Sequence, residues 1–141
     1  LAGLEIREIP LDPSHTPLVS ASIITTHKWT QAHPEQARAV VKATTDAMNA
    51  IAADPQIAID ATKPWDDSLA SEDSLASANA VLAATVPLWL GTSGHATGMQ
   101  DLTTWAQMVT FLDSLGELEG PVDPASVATN DYVSPAEEPQ S

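Results

Sequence analysis

Cysteine is absent from the 141 residues, which removes disulfides, thiolate zinc sites and cysteine nucleophiles from consideration and leaves the redox compartment unmarked. Positive charge is scarce as well: Arg7, Lys28, Arg38, Lys42 and Lys63 stand against nineteen Asp/Glu, for a formal net charge of -14. Five scattered cations make no phosphate-neutralising stripe, so nucleic acid is excluded as a partner, and an anionic membrane surface would repel the chain. Aromatic residues are only 4% of the chain. With alanine abundant, the core has to be assembled from small side chains, which favours closely packed helices. Long hydrophobic runs are missing too. The most apolar stretch, residues 75–90, is interrupted by Ser77, Asn79 and Pro87 and falls short of the roughly 18 to 20 residues that a membrane helix needs. The N-terminal Leu-Ala-Gly-Leu-Glu-Ile-Arg has no basic start, apolar run or cleavage site of a signal peptide, and no initiator Met, which suggests a mature or excised piece.

What is present suits one domain of modest size. Leu4-Glu5-Ile6-Arg7-Glu8-Ile9 alternates apolar and charged side chains, and this period of two predicts a short strand that Pro10 stops. Residues 12–17 form a proline-rich connector, after which the Val, Ile and Thr of residues 18–26 predict a second, more buried strand. From His33 the period changes. Ala37, Val40, Val41, Thr44, Met48, Ile51 and Ala52 recur at three- and four-residue steps along one face of an amphipathic helix with Pro34 in its first turn. Asp54-Pro55 ends that helix and opens a shorter one with Ile57, Ala58 and Ala61 as its inward stripe, up to Lys63-Pro64. A loop through Trp65 leads to Ser71-Glu72-Asp73, where a capping hydroxyl and first-turn acids start a helix with a seam of Leu75, Ala78, Leu82 and Val86. Residues 88–98 carry three glycines and predict a loop. Asp101 caps a last helix with Leu102, Trp105, Met108, Val109 and Leu112 on its inner face, and Gly116 stops it. The fold class expected is α/β: a mostly helical segment with two N-terminal strands and about four helices, and an acidic tail over residues 134–141 that frays.

Motifs that carry chemistry are weak. His15, His27, His33 and His95 do not pair at metal-ligand spacing on any helix face, so solvated or capping histidines are the default and no metal or cofactor is expected. Asp66-Asp67 and Glu72-Asp73 lack the alternating order and central glycine of a calcium loop, and a solvated loop with a helix start accounts for them. Gly91-Thr92-Ser93-Gly94-His95-Ala96-Thr97-Gly98 has the glycines of a phosphate cradle but neither a Gly-Lys-Ser/Thr ending nor a strand-to-helix Gly-x-Gly-x-x-Gly, so a connector is the better reading. There is no Gly-x-Ser-x-Gly elbow for a serine nucleophile. Trp105 belongs to a core face, while Trp29, Trp65 and Trp89 lie near element ends, where packing outweighs ligand contact.

A series of phrases nevertheless resembles a known family. The segment from Thr26-His27-Lys28-Trp29 through His33-Pro34-Glu35-Gln36-Ala37 is similar to one in ABC-transporter substrate-binding proteins of the nitrate/sulfonate/thiamine-precursor type, with His33 where Asn is usual. Asp54-Pro55-Gln56-Ile57-Ala58-Ile59-Asp60, then Gly98-Met99-Gln100-Asp101 through Trp105 and Met108, then Pro121-Val122-Asp123 and Thr129-Asn130-Asp131-Tyr132 resemble later phrases in the same order, over residues 18–133. The resemblance implies the C-terminal half (residues 1–133) of a bilobed periplasmic-binding-protein fold of type II, whose partners are a small-molecule solute, an ABC permease and the N-terminal half of the same protein. It also implies an extracytoplasmic location, periplasmic or lipid-anchored, and no catalysis. Hinge closure around a solute or anion would be the mechanism, with His15 and Thr16 nominated from their position as ligand-binding residues lining the cleft. Two alternatives stay open: an enzyme of the thiamine-pyrimidine-synthase branch, and a small acidic helical interaction module.

Overall fold

The computed structural model describes residues 7, 9, 17, 19, 21–89 and 97–134. It divides into two units, one drawn from residues 1–27 and 100–132, the other from residues 28–99 and 133–141.

Helices dominate the larger unit. Helix α1 (His27–Ala32), whose first residue belongs to the other unit, meets α2 (Pro34–Ala53) at His33, held at φ -136° because proline at the next position disfavours helical geometry before it. Pro34 occupies the first turn of α2, where its missing N–H costs no helical bond. The inner stripe of α2 runs through Ala37, Val41, Thr45, Met48, Ile51 and Ala52, close to the periodicity in the sequence, although Val40 and Thr44 are exposed at its border. Its outer surface carries the exposed pairs Arg38–Glu35 at 2.9 Å and Lys42–Asp46 at 2.7 Å, each worth only about 0.3 to 0.5 kcal/mol. Helix α3 (Gln56–Thr62) packs on α2. Here the inward stripe differs in part from expectation: Ala58 is half-buried, but Ile59 is 3% exposed while Ile57 is 44% exposed and Ala61 faces solvent, so the face that meets α2 and α4 is centred on Ile59 instead of Ile57.

Beyond Lys63, a turn of 3-10 helix (Asp67–Ala70) inserts buried Leu69 against helix α4 (Glu72–Trp89). Asp66 starts that turn by accepting from the Ser68 N–H at 2.9 Å, and Ser71 opens α4 by accepting from the Ser74 N–H at 3.2 Å. Leu75, Ala78, Leu82 and Val86 form the seam toward α2 and α3, each of them half-buried. Pro87 lies inside α4, and the helix continues past it to Trp89, beyond the point where a loop was expected.

The smaller unit is organised around helix α5 (Leu102–Ser114), against which a 3-10 turn (Pro124–Ser126) packs. The Asp101 carboxylate accepts from the N–H groups of Thr103 and Thr104 at 2.9 and 3.3 Å, a full N-cap. At the other end, the Glu117 N–H donates to the Leu112 carbonyl at 3.0 Å and the Gly116 N–H to the Asp113 carbonyl at 2.9 Å. This is a Schellman closure, and it requires the φ of +72° that Gly116 supplies. Val109 is the buried residue of α5, with Trp105, Met108 and Leu112 half-buried beside it and Leu102 exposed.

The α/β expectation is corrected. No strand occurs among the described residues. The strand expected over residues 18–26 is irregular wherever it is described, and Ile24 is 91% exposed. Of the strand expected over residues 4–9, only Arg7 and Ile9 are described; both are exposed and neither is in a strand. β-branched residues favour extended backbone, but a strand forms only where an edge satisfies its hydrogen bonds and a face covers its side chains. The described elements are all helical, so no such edge occurs among the described residues, and the sheet of a type II periplasmic-binding-protein lobe is not built from them. The acidic tail from residue 135 and the glycine loop over residues 90–96 lie outside the described residues.

Candidate functional site

Four apolar residues, Ala37, Ile59, Leu69 and Val109, are buried among the described residues. So small a core follows from the composition, because alanine and threonine faces bring helices together while burying little area per contact. Apolar side chains therefore remain on the surface, and helix α4 shows this most clearly. Between Asp73 and its C-terminus it carries no charged side chain at all, yet none of its residues is buried. A helix apolar on every side normally sits inside a larger structure. Here one face meets α2, α3 and the Leu69 turn, whereas the face bearing Ser77, Ala80, Val81, Ala84 and Leu88 points to solvent, with Val81 63% and Leu88 80% exposed. Trp65, 89% exposed, lies in the same unit on the segment leading to α4.

A second feature occupies the smaller unit. On the side of α5 opposite its inner face, Thr103, Ala106, Gln107, Thr110, Phe111 and Ser114 line an open groove of about 480 Å³ with Pro17. The Thr110 hydroxyl donates to the Ala106 carbonyl at 3.1 Å, and that of Ser114 to the Phe111 carbonyl at 2.7 Å, so both protons are committed to the helix. The lining holds no ionisable group. It can accept hydrogen bonds from a neutral ligand and cover an apolar one, but it has no acid, base or nucleophile of its own.

Nearby, Asn130 bonds the backbone of Gln100 in both directions: the Gln100 N–H donates to Asn130 Oδ1 at 2.8 Å and Asn130 Nδ2 donates to the Gln100 carbonyl at 3.0 Å. Trp105 Nε1 donates to Gln100 Oε1 at 2.9 Å, which joins the start of α5 to the segment after it. The clasp is structural, and it gives Asn130 of the Thr-Asn-Asp-Tyr phrase a role that no spacing in the sequence disclosed.

His15, Thr16 and His95 lie outside the described residues. His27 Nε2 lies 3.4 Å from the Ser126 carbonyl oxygen, and the His33 ring tilts against Trp29 with centroids 5.3 Å apart, so His33 does not cap α2 with its side chain. Among the described residues no three His, Asp or Glu side chains converge as a metal site. The paired acids serve local structure: the Asp66 carboxyl is held below the usual aspartate value by the Ser68 hydroxyl and then the Ser68 N–H, and Glu72 and Asp73 occupy the first turn of α4. No described helix is long and apolar enough to cross a membrane.

The outward face of α4 is what reasoning from the sequence missed. Its signal is the uncharged stretch over residues 75–90, which reads as too short for a membrane span and as a helix with one seam, neither of which points to its other side. Comparison of the chain with protein-family models, curated proteins and solved structures finds no match.

Proposed function

We propose that this chain is a non-catalytic, acidic helical interaction module that engages another polypeptide through helix α4. One observation carries the reading: a helix free of charge over residues 74–89 leaves Val81 and Leu88 in water, on a protein whose surface is otherwise strongly acidic. Exposed apolar side chains are commonplace singly, but a whole helix face without a charge is the mark of a surface that becomes covered. Site-specific photo-crosslinking tests it, with p-benzoylphenylalanine introduced at residue 88 and, as control, at exposed residue 44 of α2. Polypeptide adducts from position 88 that excess unlabelled chain suppresses, and that the V81E/L88E chain does not suppress, are the expected result. No adduct from position 88 overturns it.

The importer-receptor reading has one supporting feature among the described residues. The groove beside α5 has the volume of a small-molecule site, which typically runs from about 300 to 1,000 Å³. Its neutral lining fits an uncharged solute better than nitrate or a sulfonate. A saturable thermal shift with a small solute, abolished by Gln107→Ala, would support that reading over the interaction module.

A further inference from the structure

We propose that the outward face of α4 pairs antiparallel with the same face of a second copy of this chain. The inference rests on the interaction-module reading and names its partner. Three properties of the face lead to it.

The first is spacing. Ser77, Val81, Ala84 and Leu88 recur at steps of four, three and four residues, which is the seam of two adjacent heptads and places all four along one line of the helix. Their neighbour Ala80 is also exposed. The second is size. A two-fold axis that sets one helix antiparallel to its copy brings Val81 opposite the partner copy's position 84 and Leu88 opposite its position 77, and the same pairs recur reversed on the other side of the axis. Every layer then holds one large and one small side chain, the alternation by which facing helices interdigitate at about 8 to 10 Å between axes. A parallel pairing would instead stack valine on valine and leave the Ser77 and Ala84 layers empty.

Charge is the third. Two chains of net charge -14 repel each other, and a self-contact is least opposed where neither copy presents an acid. Residues 74–89 provide that, and antiparallel pairing carries Glu72 and Asp73 of one copy to the opposite end from those of the other. A basic partner is the competing occupant, but between Ser77 and Leu88 this face offers it no acid. The 18-residue helix is about 27 Å long. A contact of that length on one face lies near the lower limit of about 1,000 Å² for a specific interface, so the dimer is reversible and concentration-dependent.

Analytical ultracentrifugation of the full chain over a concentration series, at about 50 mM and about 500 mM salt, provides the test. Expected is a monomer-dimer equilibrium that tightens as salt rises, because screening relieves the net repulsion. Leu88→Glu weakens it at least about a hundred-fold, since the two-fold repeats each loss and each is worth a factor of ten or more. Ala84→Leu breaks the dimer by overfilling two layers, while position 84 is exposed in the single chain and leucine ranks next to alanine as a helix former, so the monomer keeps its circular dichroism. Ala84→Val weakens pairing, and the exchange V81A/A84V restores it by returning one large residue to each layer. A monomer at every concentration and salt overturns the proposal, as does a dimer indifferent to Leu88→Glu and Ala84→Leu, or one that salt dissociates. Crosslinks from position 88 only to other polypeptides also overturn it, and leave the interaction module standing.

Discussion

Gly98 and Gly116 both sit at positive φ, +87° and +72°, and replacing each with alanine separates two physical costs that usually come mixed. Around Gly116 a Cβ meets nothing within 4 Å, so Gly116→Ala carries only the backbone penalty of the left-handed region, about 1 to 2 kcal/mol. At Gly98 the same penalty applies, but a Cβ would lie 2.5 Å from Thr45 Cγ2 on α2. The threonine cannot easily swing away, because its Oγ1 donates to the Lys42 carbonyl at 3.0 Å and a β-branched side chain in a helix has few rotamers. Overpacking of this kind adds roughly 1 to 3 kcal/mol, so Gly98→Ala should cost about 2 to 5 kcal/mol in total. Thr45→Ser removes the offending methyl and keeps the hydroxyl. In a double-mutant cycle followed by urea unfolding and circular dichroism, Gly98→Ala in the Thr45→Ser background should cost about as little as Gly116→Ala, giving a coupling energy of at least about 1 kcal/mol. Equal costs for the two glycine variants, or a cycle that closes without coupling, would refute the close approach of this turn to α2.

Three further outcomes can be checked. Asn130→Asp keeps the shape of the clasp and the acceptor for the Gln100 N–H but loses the donor to the Gln100 carbonyl, and should destabilise the chain by about 1 to 3 kcal/mol in chemical denaturation; a neutral variant would mean that the bond is not made. His33→Ser should be more stable than His33→Ala by about 0.5 to 2 kcal/mol, because both lose the ring contact with Trp29 and only serine caps α2; equality would show that this helix start needs no cap. Asp66 has a folded pKa below its unfolded value, so its bonds to Ser68 contribute above the ordinary aspartate range near 3.9 and are lost as pH falls through the lowered folded pKa. Carbon-13 titration of the Asp66 carboxyl should give a midpoint that rises toward the ordinary range in Ser68→Ala, and an unmoved midpoint would remove the hydroxyl as its main cause.

Much of the helical architecture was legible in the chain because its determinants are local. The stripe of α2, Pro34 in its first turn, the Ser71 and Asp101 caps and the Gly116 stop all act within a turn of helix, and each is where the residue types put it. The two expected strands, not seen among the described residues, illustrate the opposite case. Leu4 to Ile9 and the Ile23-Ile24 region have strand-forming residues, but pairing depends on an edge supplied from elsewhere in the chain, and no period in the sequence reports whether that edge exists. Likewise the face of α3 that buries Ile59 in place of Ile57 is set by its neighbours, since a seven-residue helix has too few turns for its own pattern to prevail.

The sites divide along the same line. Composition alone removed thiolate chemistry from these residues, since no fold can supply absent cysteines, and with five cations against nineteen acids it set the sign of the surface charge. It also determined that α4 has no charge along most of its length. Which side of that helix is covered was decided by the packing of α2, α3 and the Leu69 turn, and the clasp of Asn130 on Gln100 joins residues thirty positions apart. Local sequence sets the conformation a segment favours and the chemistry it can offer. Only tertiary contact decides which of its faces is consumed by the fold and which is left for a partner.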